Sequence, residues 1–109
     1  MRIVWAIYTE TKSKEKAKII LAKISKMLEI ELGDTIIQQN DKGGCSCVFS
    51  QIISSENWKE SVFECLSIAQ KVGYFWSVSG NIEEEIDIWS EKIKLTGVKA
   101  INATCEKNV

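Results

Sequence analysis

Apolar positions recur along this chain with two periods, and the switches between them divide it into alternating strands and helices. Arg2 to Tyr8 reads as a strand: Ile3, Trp5 and Ile7 make one face, and Val4 and Ala6 make the other almost as apolar. A strand with two apolar faces is expected at the centre of a sheet, buried on both sides. Thr9, Thr11 and Ser13 offer N-caps for a helix whose stripe is Ala17, Ile20, Leu21, Ile24, Met27 and Leu28, with Gly33-Asp34 as its stop. Thr35 to Gln39 is a weaker strand. Asn40-Asp41-Lys42-Gly43-Gly44 has the composition of a hairpin loop, and Cys45 to Ile53 is the returning strand. Ser54 or Ser55 caps a second helix with the stripe Trp58, Val62, Cys65, Leu66 and Ala69, and Val72-Gly73 ends it.

The segment from Gly73 to Asn102 carries the strongest signals. Tyr74, Trp76 and Val78 alternate with Phe75, Ser77 and Ser79, as in a strand with one buried face. Ser79-Gly80 breaks that pattern, and Asn81 with Glu84 three residues on is an Asn form of the capping box. Ile82, Ile86, Trp89 and Ile93 then recur at helical spacing, with Glu83, Glu84, Glu85, Asp87 and Glu91 off the stripe. The pattern predicts an acidic amphipathic helix there, followed by a final strand from Val98 to Cys105. The order β-α-β-β-α-β, extended by α-β, gives an α/β (α+β) fold of ferredoxin-like type: a mostly antiparallel sheet with helices on one face and a C-terminal α-β extension. At 109 residues the chain is expected to be a single domain, 1–109.

Composition changes this picture in three ways. The net charge of −1 conceals segregation: residues 12–26 hold Lys12, Lys14, Lys16, Lys18, Lys23 and Lys26 against Glu15 alone, while residues 83–91 hold five acids and no base. There is no histidine, which removes the commonest general base and metal ligand, and there is no proline. No apolar run approaches the roughly 20 residues of a membrane span. The opening MRIVWAIYTE is too short for a signal-peptide core, so a cytoplasmic location with reduced thiols is expected.

Candidate chemistry is sparse. Cys45 and Cys47 point to the same side of their strand, and with Cys65 and Cys105 four thiolate zinc ligands are conceivable. Their spacing follows none of the usual zinc patterns, and Cys65 lies on an apolar stripe, so core packing is the expected role and no metal or cofactor is assigned. Consecutive acids on a helix splay around it rather than converge as a glycosidase pair does. Glu83, Glu84, Glu85, Asp87 and Glu91 therefore read either as a solvated face or as a patch that docks a basic partner. The lysines of the first helix invite a nucleic-acid reading. They lack interleaved aromatics and the chain's pI is about 5.5, so no nucleic-acid partner is expected. Trp5, Trp58 and Trp89 lie on core stripes. Tyr74 and Trp76 either pack in the core or form an aromatic anchor for a protein partner.

One stretch resembles a known group. A strand with paired aromatics around Trp76 runs into Ser79-Gly80-Asn81-Ile82; an acidic amphipathic helix is expected to follow with Ile86 and Trp89, and Gly97-Val98 opens the last strand. This is similar to the end of small bacterial immunity proteins encoded beside polymorphic toxins, such as those of contact-dependent growth inhibition. The resemblance covers roughly the last third of the chain. It implies a non-enzymatic cytoplasmic protein that binds one cognate toxin domain, often a nuclease, and blocks its active site or substrate surface. The acids 83–91, with Tyr74 and Trp76, would be the contact residues. A second reading from the residues alone is a small-molecule-sensing regulatory domain of the same topology, dimeric through its sheet, with its ligand near Thr9 to Ser13.

Overall fold

A computed structural model of the chain describes residues 1–107. The elements are β1 (Arg2–Thr9), α1 (Lys14–Leu28), β2 (Ile36–Gln39), β3 (Cys45–Ile52), α2 (Trp58–Ala69), β4 (Gly73–Tyr74), β5 (Ser77–Ser79), β6 (Glu85–Ser90), β7 (Lys92–Ile93) and β8 (Val98–Glu106). Six strands form one antiparallel sheet in the order β2-β3-β1-β8-β6-β5, and β4 pairs with β7 in a small separate ladder. The class is α+β, with a largely antiparallel sheet and two helices.

Period-two burial explains the sheet. Ile3, Trp5 and Ile7 of β1, Cys45, Cys47 and Phe49 of β3, Ile101, Ala103 and Cys105 of β8, and Ile86 and Ile88 of β6 are buried on one side. Residues from α1 (Ala17, Ile20, Leu21, Ile24, Leu28) and α2 (Cys65, Ala69) close over them in one core. Trp5 sits between Phe49 and Ala103 in register, so the largest side chain of the core lies beside one of the smallest. Its indole N–H donates to Gln51 Oε1 at 3.0 Å, which satisfies its only polar atom.

Both helices form where their apolar stripes predict, but with different ends. Ser13 caps α1 by accepting from the Lys16 N–H. The helix stops at Glu29, which adopts the left-handed conformation with φ 58°, rather than at Gly33-Asp34. Asn57, not Ser54 or Ser55, caps α2 by accepting from the Glu60 N–H at 2.9 Å. Neither helix is long and apolar enough to cross a membrane.

The loop between β2 and β3 depends on Gly44. Its φ is +83°, and a Cβ there would lie 2.4 Å from the Thr9 carbonyl oxygen. That contact is with backbone, which cannot swing away. Gly44→Ala is expected to cost more than about 2 kcal/mol, read as a fall in the urea midpoint with an unchanged m-value.

Three expectations are corrected. The acidic helix over residues 82–93 does not form. The chain makes one turn at 82–84, then β6, a bend and β7. The capping signal is real, since the Asn81 side-chain oxygen accepts from the Glu83 N–H at 3.4 Å, but it caps a single turn, closed by the Asn81 backbone carbonyl accepting from the Glu84 and Glu85 N–H groups at 2.8 Å each. Strand wins because β8, bonded to β1 on one side, offers its other edge. Ile86 and Ile88, opposite Cys105 and Ala103, bury completely there. Secondly, the strand expected through Tyr74, Trp76 and Val78 is broken at Phe75, whose φ is +53°, into β4 and β5 on different ladders. Thirdly, β1 is central but buried on one side only. Val4 is exposed and Ala6 half-buried, because no helix covers that face.

Candidate functional site

The uncovered face of the sheet is the place where the predicted contact residues can be tested. Its register aligns side chains in rows about 7 Å apart. One row runs Ser50, Val4, Thr104, Asp87, Ser79; the next runs Ile36, Val48, Ala6, Asn102, Trp89, Ser77. Beside them Tyr8 and Trp89 form a tilted aromatic pair with ring centroids 5.7 Å apart. Ala100, opposite Tyr8 on the same face, is buried although no helix lies over it.

Of the predicted acids, Glu85 and Asp87 stand side by side on this face with Trp89, all three exposed. Asn102 donates its amide to the Asp87 carboxylate and to the Ile88 carbonyl, at 2.9 Å for the latter, which fixes Asp87 in place. Glu85 lies directly opposite Glu106. Like charges facing each other across strands are unfavourable in the free protein. Glu83 and Glu84 lie in the turn before β6, and Glu91 lies past its end where the chain bends into β7. None of the five acids has an ion-pair partner among the described residues, where the ion pair present joins Lys71 to Glu29.

Tyr74 and Trp76 are not brought together as one patch. Tyr74 is exposed, with the Lys94 ammonium 4.8 Å from its ring centre. Trp76 is half-buried and packs near Gly73, where an added Cβ would lie 3.2 Å from Trp76 Cζ2. Its indole N–H is enclosed without a hydrogen-bond partner among the described residues. Trp89, placed on a core stripe by helical spacing, is instead on the open face and 39% exposed.

Sequence reasoning assigned no contact role to Phe75, Tyr8 or Val78. Phe75 is 85% exposed and holds a positive φ that disfavours residues with a Cβ. A partial signal lay in Glu85-Ile86-Asp87-Ile88, which alternates strictly and would put Trp89 on the face of the acids, but Trp89 itself breaks the apolar-polar pattern and fits the helical spacing better.

A groove of about 730 Å³ adjoins this region, lined by Asn57, Trp58, Lys59, Val62, Ile82, Glu83 and Lys107. The Trp58 indole N–H donates to the Ile82 carbonyl at 2.7 Å and ties the acidic turn to α2. At the Thr9 to Ser13 loop, by contrast, polar groups serve the fold. Thr9 and Thr11 hydroxyls bond each other at 2.7 Å, Thr9 donates to the Cys45 carbonyl, and the Gln39 amide donates to the Lys12 carbonyl.

The four cysteines are buried free thiols, and no cluster of three or more metal-ligating side chains occurs among the described residues. Burial, reinforced by the neighbouring Cys45, pushes the Cys47 thiol up to about 11. Burial, then Cys105 and Glu64, pushes Cys65 up to about 12. Both stay protonated and unreactive at neutral pH. In the unfolded chain a thiol ionises near its ordinary value of 9.0. The stability these groups confer is therefore complete below that pH and is lost as pH rises towards 12. The expected result is slow reaction with a thiol reagent at pH 8 that becomes fast on unfolding, and a urea midpoint that falls from pH 9 upward.

Comparison with protein-family models, with curated proteins and with solved structures finds no match to this chain.

Proposed function

We propose that this protein is a non-catalytic binding protein that docks a partner with a basic surface against the segment 74–89, in the manner of an immunity protein neutralising a toxin domain. One observation carries the reading. Among the described residues, five of the ten exposed large hydrophobics, Tyr74, Phe75, Val78, Ile82 and Trp89, fall within those sixteen positions, in sequence with Glu83, Glu84, Glu85 and Asp87, with Trp89 on the open face and Val78 on the other. On the open face Trp89 stands beside Glu85 and Asp87, and an exposed apolar anchor rimmed by negative charge is the anatomy of a protein interface. A row of carboxylates suits a nuclease domain, whose substrate surface is built for phosphates. The acids act here from a strand and its preceding turn rather than from a helix, so the part of the resemblance that rested on an acidic helix gives no support. The absence of histidine and the protonated state of the buried thiols favour binding over catalysis. We also read β1, α1, β2, β3, α2 and β8 as a ferredoxin-like core with residues 73–93 inserted before its last strand. A cytoplasmic location belongs to the same proposal.

Phe75 supplies the test. Its left-handed backbone and exposed ring are unfavourable in the free protein, so Phe75→Gly is expected to keep or raise stability, by up to about 1 kcal/mol. The same change weakens binding of the purified partner at least tenfold. Unchanged affinity would remove Phe75 and its surroundings from the interface.

The groove beside Trp58 favours a second reading, a small-molecule-sensing domain, with the ligand there rather than at Thr9 to Ser13. A thermal-shift screen with amino acids and nucleotides separates the two, since clear stabilisation by one compound supports sensing.

A further inference from the structure

We propose that the partner completes the interface by adding a strand to the free edge of β5, through a segment that alternates basic and aliphatic residues. This rests on the partner-binding reading above and names how that surface is used. Among the described residues β5 ends the six-stranded sheet and pairs with β6 alone, so its other edge presents unpaired backbone groups. Ser77, Val78 and Ser79 are all exposed, and none is a charge or a proline that would block pairing. The opposite edge, β2, differs: the Gln39 amide donates to the Lys12 carbonyl at 2.7 Å and holds the lysine-rich start of α1 beside it.

The side chains around β5 specify the added strand. Ser79 pairs with Asp87 and Ser77 with Trp89, so small serines separate the edge from the carboxylate and the indole. An arginine opposite Ser79 reaches over it to Asp87, and one opposite Ser77 reaches the Trp89 ring. The residue between them points to the other side of the sheet, beside Val78, which is 49% exposed and calls for an aliphatic neighbour. Backbone pairing supplies affinity and these alternate side chains supply selectivity.

The test uses the full chain labelled with ¹⁵N and titrated with the peptide acetyl-Thr-Arg-Ile-Arg-Thr-amide. The expected result is saturable shifts of the Ser77, Val78 and Ser79 amides and of the Trp89 indole N–H, with a Kd near or below about 1 mM. Peptides N-methylated at alternate residues, in both phases, distinguish backbone pairing, and one phase is expected to bind at least tenfold more weakly. Equal binding by all forms overturns the added strand while leaving the acidic surface as the contact. No shifts at the β5 amides with any peptide also overturns it. Failure of the parent reading is seen separately, as purified partner whose affinity ignores charge reversal at Glu85 and Asp87.

Discussion

Trp5→Ala is expected to destabilise the protein by about 3–5 kcal/mol, because a fully buried indole leaves a cavity that the surrounding sheet cannot close. Trp5 stacks near Phe49, with ring centroids 6.4 Å apart, and faces Ala103, which has no side chain long enough to fill the space. The same change strips Gln51 of the indole donor. A domain of this size has about 5–15 kcal/mol of stability in total, so most or all of the margin disappears. Chemical denaturation followed by circular dichroism reads the loss directly. Trp5→Phe, which keeps much of the volume, is expected to retain more than half of the lost stability. A Trp5→Ala protein within 1 kcal/mol of wild type would mean that the core is not organised around this residue.

Charge reversal at Glu85 and Asp87 has the opposite profile, with a small effect on folding and a large one on binding. Glu85→Lys replaces a like-charge pair with Glu106 by an opposite pair, so stability is expected to hold or rise by about 0.2–1 kcal/mol. Asp87→Lys loses one bond from Asn102, which keeps its bond to the Ile88 carbonyl. For a basic partner the double variant puts two repulsive charges at the contact, and the expected loss is about 100-fold in affinity. Much of that loss lies in the association rate, and the dependence of that rate on salt flattens. Glu83→Lys with Glu84→Lys, in the turn outside the sheet face, is expected to matter less, within about tenfold. Calorimetric titration and stopped-flow association with purified partner separate these outcomes.

The first half of the fold was legible because each element there obeys one period. The stripe Ala17, Ile20, Leu21, Ile24 and Leu28 has no competing alternation, and the Ile3, Trp5, Ile7 strand has no competing helical stripe. Within residues 82–93 a helical stripe overlaps the short alternation of Glu85 to Ile88, and local capping favoured the helix. What decided between them was β8's second edge, a partner more than ten residues away that no local window contains. Once β6 is a strand, Trp89 moves from the expected core to the open face and the acids divide, with Glu85 and Asp87 on that face and Glu83, Glu84 and Glu91 outside it. The break at Phe75 was hidden because aromatic alternation continues through it, and only the backbone angle separates Tyr74 from Trp76. Charge segregation survived the change of secondary structure, since it depends on sequence proximity more than on which element carries it.

The most direct measurement of the central claim is affinity capture from the native host with tagged wild-type protein. The captured polypeptide is then identified, purified and titrated against wild type, the Glu85→Lys/Asp87→Lys double variant and a Lys14→Glu/Lys18→Glu control. The predicted result is a near-stoichiometric domain with a basic surface, from the C-terminal part of a large secreted protein, whose affinity collapses for the acidic-face variant and holds for the lysine-helix control. Equal affinity for wild type and the acidic-face variant, or a loss confined to the lysine-helix control, would contradict the account and move the interface away from residues 74–89.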